Sequence, residues 1–490
     1  MPRPNILFLM TDQQQASTID PGSQCLTPAL DRLASQGVRF SRAYTVNAIC
    51  SPTRASLLTG VYPSTHGMVD TTHVVEPYRA ELDTSLEMWS QRLHAHGYRL
   101  GYFGKWHVER SNQLERFGFE EYAVSPGGGL HEAFEEHRRG MGLGPRPASL
   151  SPHYEVEQPG YQPYRLFGVH DEPVESTLEH YIYSRGIDYM RRAAASGQPW
   201  VSFISTSAPG ESCVIPRPYW ERYDPGRIRK PASFHDNLAD RPNIYRRMKQ
   251  TWARMEWDDF ARTIAAYYGF CSLVDDQISR ALQALEETGQ ADNTIVIYTN
   301  DHGTMMGAHG LMCLGVFPFE EGYRIPMIIR WPGVTSPGTT CDDLVSIMDL
   351  APTILEMTDS GTLEPCHARS LVPLLHGETP DDWRDDHFAE FHGQRFFWTQ
   401  RIVWWDRYKY VFNGFDYDEL YDLEADPHEM TNLALDHRYA PLCRQMAERM
   451  WRHIWEIGDY NMHGSHYGMF RFAPVGPDVA RPGPRGDGRQ

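Results

Sequence analysis

The chain reads as an α/β protein: a large, mostly parallel mixed sheet sandwiched by helices, with a smaller C-terminal α+β subdomain. Three observations predict this. Asn5–Met10, Trp200–Ser205 and Thr294–Tyr298 are apolar runs without polar alternation, as strands buried on both faces are. Segments with apolar residues at helical spacing lie between them, and strand–helix alternation implies a parallel sheet covered on both sides. From about Asp382 the chain becomes aromatic-rich, with short strand-like runs.

In order, Asn5–Met10 predicts a strand that ends on Thr11-Asp12-Gln13. Thr27-Pro28 opens a helix that Gly37 stops. Val38–Tyr44 reads as one strand, Ser51–Thr59 as a short helix, Ser85–His96 as an amphipathic helix and Tyr98–Phe103 as a strand. Ser125–Pro163, rich in Gly, Pro and His, reads as a loop region lining or covering something. A long helix over Asp258–Glu287 leads into the strand that delivers Asn300-Asp301-His302-Gly303. Ile325–Trp331 follows as a strand and Leu350–Met357 as a helix. Phe388–Val411 predicts short strands, and a last helix lies near Pro441–Ile457. The expected organisation is a catalytic domain over residues 1–380, the subdomain over 381–470, and a Pro/Gly/Arg-rich tail over 471–490. That tail is expected to be disordered or an arm on a partner subunit.

Composition narrows the function. The chain has 490 residues, 41% of them hydrophobic, enough for a substantial core. Lys plus Arg number 46 against 64 Asp plus Glu, a net charge of −18. So acidic a chain argues against nucleic acid or anionic membrane as partners. An anionic small molecule would need cations gathered at its site. No stretch approaches a membrane span, and the opening apolar run is too short for an anchor or signal peptide. Eight scattered cysteines without a CxxC pair suggest reduced thiols and a cytoplasmic enzyme.

Three clusters could carry chemistry. Asp12 and Asp301 each follow a strand of the buried type, and ligands of doubly wound sheets bind at C-terminal strand edges. Asp12, Gln13, Asp301 and His302 form an oxygen/nitrogen set suited to Ca²⁺, Mg²⁺ or Mn²⁺. Each Asp alone could equally cap a helix or turn. Cys50 opens a helix with Pro52 in its first turn and Arg54 nearby, a positive setting for a thiol; alone it could be a small buried hydrophobe. Lys105 and His107, two apart on an extended segment, would face one way, although both could be ordinary loop residues.

Cys50-x-Pro52-x-Arg54 followed by Ala55-Ser56-Leu57-Leu58-Thr59-Gly60 resembles the signature of the formylglycine-dependent sulfatases of the alkaline phosphatase superfamily. The resemblance runs from Pro4 to about Asn432. It includes the Asn5–Asp12 opening, Gly104-Lys105-Trp106-His107, Asn300-Asp301-His302-Gly303, and Tyr421-Asp422-Leu423-Glu424-Ala425-Asp426-Pro427-His428-Glu429. It implies an alkaline phosphatase-like fold and conversion of Cys50 by a maturation enzyme to formylglycine (3-oxoalanine), whose hydrate attacks sulfur or phosphorus. It further implies that Arg54 holds this group and that Lys105 neutralises an oxygen of the transferred group. His107 then serves as base, and Asp12, Gln13, Cys50, Asp301 and His302 hold one divalent ion. Ca²⁺ is the first expectation, Mn²⁺ or Mg²⁺ the alternatives. Gln13 replaces a second Asp that many members carry.

Two departures stand out. Family members usually have Pro-His after the strand equivalent to Trp200–Ser205, the His protonating the leaving alcohol; here Gly210 stands in its place. A Lys usually follows the His-Gly-Leu stretch, where this chain has Leu314. Glu211, His309 and Arg324 are the candidate substrate-binding replacements. The implied activity is sulfate ester hydrolysis on a small molecule. The runner-up is a phosphonate monoester or phosphodiester hydrolase on the same scaffold, and a catalytically dead binding homologue is a third reading. A homo-oligomer is compatible with the sequence.

Overall fold

The computed structural model describes residues 3–315, 317–394, 397–463 and 473–482. Eight strands form the main sheet: β1 (Asn5–Asp12), β2 (Val38–Phe40), β3 (Arg99–Lys105), β4 (Glu121–Ser125), β5 (Trp200–Pro209), β6 (Thr294–Asn300), β7 (Met327–Arg330) and β8 (Thr339–Cys341). Their order across the sheet is β8-β2-β7-β6-β1-β5-β3-β4. The five strands β6-β1-β5-β3-β4 run parallel, whereas β7 is antiparallel to both neighbours.

The apolar run of β1 is buried on both faces, as its composition predicts. Leu7 and Leu9 face the layer containing the long helix α1 (Trp257–Glu287), while Ile6, Phe8 and Met10 face the opposite layer. On that second face Phe203 stacks on Phe8 at 4.2 Å and on Tyr102 at 4.5 Å, tying three neighbouring strands together.

Several local expectations are corrected. Val38–Tyr44 is not one strand: it breaks after Phe40, and Ala43–Tyr44 pairs parallel with Val345–Ser346 in a separate two-stranded sheet. The helix read over Ser85–His96 spans only Trp89–Ala95. Ser125–Pro163 is not a loop throughout. It contains a helix over Leu130–Gly140 and a strand over His153–Val156, whose partner is Tyr164–His170. The Gly and Pro there punctuate short elements. The start at Pro28 is as expected, but Thr27 makes no side-chain cap. The carboxylate of Asp275, buried in α1, accepts the Ala29 and Leu30 N–H groups instead.

At the C-terminus β9 (Asp386–Gly393), β10 (Phe397–Trp405), β11 (Tyr408–Asn413) and β12 (Glu419–Asp422) make an antiparallel sheet in sequence order. The helix Ala440–Ile457 packs on it. The described part of the expected tail, residues 473–482, is not free: Ala473 is buried, and the Trp451 and Trp455 indoles donate to the Val475 and Pro477 carbonyls. The rest of the tail lies outside the described residues. Among the described residues no helix is long and apolar enough to cross a membrane, and all eight cysteines are free thiols.

Candidate active site at the carboxyl edge of the sheet

Four adjacent parallel strands end at one edge and deliver one polar group each: Asp301 after β6, Asp12 on β1, Gly210-Glu211 after β5, and Lys105 on β3. The helix Cys50–Thr59, buried at every residue, presents Cys50 as its first residue to this edge. One donor atom each from Asp12, Cys50, Asp301 and His302 lies within 4.8 Å of the others. The Cys50 Sγ is 3.2 Å from His302 Nε2 and 3.7 Å from Asp12 Oδ1. Sequence-distant residues thus meet as the strand ends predict.

The chemistry of this donor set fits a divalent cation. Two carboxylates share a buried space, which is costly without a positive charge between them. Burial alone would lower the His302 pKa, yet Asp301, Cys50 and Asp12 outweigh it and raise it to about 10. The surrounding groups thus favour a positive charge where Nε2 points. His302 Nδ1 donates to the Gly303 carbonyl at 2.9 Å, which fixes the tautomer and leaves Nε2 free as a ligand. Gly303 is obligatory here, since a Cβ would stand 1.8 Å from the Glu321 carbonyl oxygen.

Gln13 adopts φ 59°, a left-handed turn that ends β1. Its N–H donates to Asp301 Oδ1 at 3.3 Å, and its carbonyl accepts from the Tyr267 hydroxyl at 2.8 Å. Its Nε2 is buried without a protein partner, a donor open to a ligand. Its Oε1 faces Gly210: a Cβ there would lie 2.6 Å from Gln13 Oε1 and 2.8 Å from the Ser207 carbonyl. Gln13 and Gly210, two of the positions where this chain departs from the family pattern, are therefore in contact. With Gln13 as it lies, position 210 has no room for a side chain.

The cations are held from several strands at once. Arg54, 2% exposed, donates Nε to Asp301 Oδ2 at 2.8 Å and Nη1 to Ser205 Oγ at 2.8 Å and the Lys105 carbonyl at 3.0 Å. Its Nη2 is buried without a partner. Burial opposes ionisation of Asp301, but Arg54, His302 and Lys105 prevail and lower its pKa to about 2. Lys105 Nζ pairs with Asp12 Oδ2.

His107 does not continue the extended segment. The strand stops at Lys105, and His107 has φ 55°. Its Nε2 donates to the Thr72 carbonyl at 3.1 Å, while Nδ1 is buried without a partner. Burial first, then Lys105 and Arg54, lowers its pKa well below the ordinary value. His107 is thus a neutral imidazole with a lone pair at Nδ1.

Of the three candidate replacements, the structure brings Glu211 to the site. Its Oε1 accepts from Thr304 Oγ1 at 3.0 Å, two residues beyond His302. His309 is instead fully buried, bonded through Nδ1 to Asp236 at 2.8 Å and stacked on Phe319 at 3.8 Å. Arg324 is ion-paired with Asp20 at 2.6 Å. Ser205, Tyr267, Thr72 and Thr304 were not singled out from the sequence. They act through hydrogen bonds on residues distant in the chain, and no motif marks them.

The comparisons decide the family. The description "Sulfatase" matches residues 4–360, and "N-sulphoglucosamine sulphohydrolase, C-terminal" matches residues 307–456. The chain belongs to the sulfatase family. It is a sulfuric ester hydrolase of the alkaline phosphatase superfamily, as its motifs imply. Among curated relatives, the "Uncharacterized sulfatase YidJ" of Escherichia coli K12 is 30% identical, over 94% of this chain and 88% of that one. The "Multifunctional alkaline phosphatase superfamily protein PehA" of Trinickia caryophylli is 28% identical, over 97% and 99%. A solved phosphonate monoester hydrolase from Silicibacter pomeroyi shares the fold with a TM-score of 0.78 at 24% identity, over 94% of this chain and 97% of that one.

Proposed function

We propose that this sulfatase cleaves sulfate esters with a nucleophile made from Cys50 and one divalent cation held by Asp12, Gln13, Asp301 and His302. The observation that carries this reading is the buried convergence of Cys50 with two carboxylates and an imidazole, flanked by Arg54 and Lys105. Formylglycine at position 50 and the cation would supply an attacking oxygen and the positive charge beside it. A formylglycine-generating maturation enzyme is the implied partner.

The chain's own residues perform the remaining tasks. Lys105 stays protonated: burial opposes its charge, but Asp12 and Cys50 outweigh burial and raise its pKa. It sets an ammonium beside an oxygen of the transferred group. Arg54 keeps Asp301 ionised and holds the ends of β3 and β5 in register with the helix carrying Cys50. His107, held through Nε2 and with an unpartnered Nδ1, would accept and return a proton at the nucleophile.

The test is mass spectrometry of the peptide containing Cys50 after coexpression with a maturation enzyme, together with a panel of aryl sulfate, phosphonate monoester and phosphodiester substrates. The expected result is formylglycine at position 50 and the highest kcat/KM on the sulfate ester. A protein with unmodified Cys50 and full activity would overturn the nucleophile. A preference for phosphonates or diesters would instead favour the second reading, which draws on the likeness to the multifunctional relative.

A further inference from the structure

The end of β5 hands the chain to Gly210 and Glu211 beside the cation site. Position 210 is barred to side chains by Gln13 and the Ser207 carbonyl, so the first side chain this segment offers is Glu211. It is partly exposed, hence reachable, and its Oε1 is anchored by Thr304 Oγ1 at 3.0 Å. Thr304 is itself fixed, its carbonyl accepting from Gln15 Nε2 at 2.6 Å. No Lys, Arg or His forms an ion pair with Glu211 among the described residues.

The groups facing Glu211 are Asp12 from β1, Thr304 and Cys313 from the loop after β6, Cys213 from the following strand and Tyr164 from that strand's neighbour. Burial, with the charge of Asp12 adding to it, raises the Glu211 pKa, while its own N–H and Thr304 oppose the rise. The other titratable groups at the site are committed. Arg54 is locked to Asp301 and Lys105 to Asp12, His107 is an acceptor, and His302 turns Nε2 into the ligand cluster.

We propose that the Glu211 carboxyl, anchored by Thr304 at the end of β5, donates the proton to the departing ester oxygen, so that the substrates are sulfate esters of weakly acidic alcohols such as alkyl or sugar hydroxyls. This rests on the sulfate-ester reading above. As the bond to sulfur forms on the nucleophile side, the sulfur–oxygen bond to the alcohol breaks and its electron pair stays on that oxygen. The oxygen takes the Glu211 proton and leaves as neutral alcohol. Glu211 remains as carboxylate and regains a proton from water before the next turnover. Phenolic leaving groups depart as anions and need no such help, which is why the acid matters only for poor ones.

The experiment compares the mature, metal-loaded enzyme with Glu211→Gln, which preserves shape and the acceptor for Thr304. With an alkyl or sugar sulfate kcat/KM is expected to fall by about 10²–10⁴-fold, and with nitrophenyl sulfate by no more than about threefold. A plot of rate against leaving-group acidity steepens accordingly. Independently of turnover, the infrared difference spectrum of wild type minus Glu211→Gln at the assay pH should show a protonated carboxyl band that the substitution removes. Equal losses on both substrates, or none on the alkyl ester, would overturn the assignment. If the wild type cleaves only phosphonates or diesters, the sulfate reading falls, and the same substitution read on aryl and alkyl members of that series decides Glu211 by itself.

Discussion

Placing a side chain at Gly210 tests how Gln13 and Gly210, two departures from the family pattern, depend on each other. A Cβ at 210 would sit 2.6 Å from Gln13 Oε1 and 2.8 Å from the Ser207 carbonyl, where ordinary contact begins at 3.4 Å. The carboxamide can swing aside, but the Ser207 carbonyl belongs to β5 and must carry the strand end with it. Overpacking of this kind costs about 1–3 kcal/mol. Gly210→Ala is therefore expected to lower stability by that amount and to displace Gln13 from the cation site. Gly210→His, which restores the residue type usual in the family, is expected to lower alkyl-sulfate activity rather than raise it. Shortening the neighbour relieves the clash, so Gln13→Asp/Gly210→His should recover part of both losses, a coupling of about 0.5–3 kcal/mol. Denaturant unfolding, metal content by mass spectrometry and kcat/KM on an alkyl sulfate measure the three effects. Gly210→Ala with wild-type stability and metal content, or strictly additive effects in the double variant, would refute the contact as the cause.

Three further outcomes are expected. Cys50→Ala should lose about 10⁶-fold in turnover while changing stability by under about 1 kcal/mol, because a small side chain at a helix start contributes little packing; Cys50→Ser should remain crippled in the same assay. Chelation should abolish activity, and readdition of Ca²⁺, Mn²⁺ or Mg²⁺ at about 100 times its Kd should restore activity and about 2.7 kcal/mol of stability in a thermal scan. His66 should make the fold acid-sensitive. It is fully buried, accepting from the Met68 N–H at 3.1 Å and bonded to Ser56 Oγ at 2.9 Å, and burial lowers its pKa from 6.5 to about 3 despite opposition from Glu390. A lowered folded-state pKa gives stability that is present above the unfolded value of 6.5 and lost as pH falls below it. Between about pH 7 and pH 4.5 the loss is about 2–3 kcal/mol, and His66→Gln should flatten that slope in urea titrations.

The main sheet was legible because its central strands are buried on both faces, and uninterrupted runs such as Ile6–Met10 cannot serve elsewhere. The meeting of Asp12 and Asp301 was legible because strands of that kind end on polar residues at one edge: the two lie 289 positions apart in the chain yet on adjacent strands. What the sequence hid is whatever depends on a partner from another element. Asp275 caps a helix some 245 residues earlier, and Tyr267 holds the Gln13 turn by one hydroxyl. Neither interaction has a local signature. The turn at His107 escaped for a related reason: an imidazole at positive φ is disfavoured locally, and the bond to Thr72 from a different loop holds it there. The helix Leu130–Gly140 was obscured by the Gly and Pro on either side, which mark its ends rather than an absence of structure.

The charge carried by these residues also explains how so acidic a chain can hold an anionic ester. Asp12 and Asp301 are matched one for one by Lys105 and Arg54, so these four side chains together carry no net charge. The divalent ion proposed here, with His302 neutral as its ligand, would add a surplus of two positive charges, in a buried space where screening by solvent is weak. A second Asp at position 13 would halve that surplus. With Gln13 the carboxamide can still offer an oxygen to the ion while its Nε2, buried and unpartnered, remains a donor for a sulfuryl oxygen. The same carboxamide bars position 210 to an imidazole, which would add a further positive charge when protonated. In the role proposed for it, Glu211 would supply a proton without adding positive charge, and once it has given that proton up its carboxylate would oppose rebinding of the anionic product.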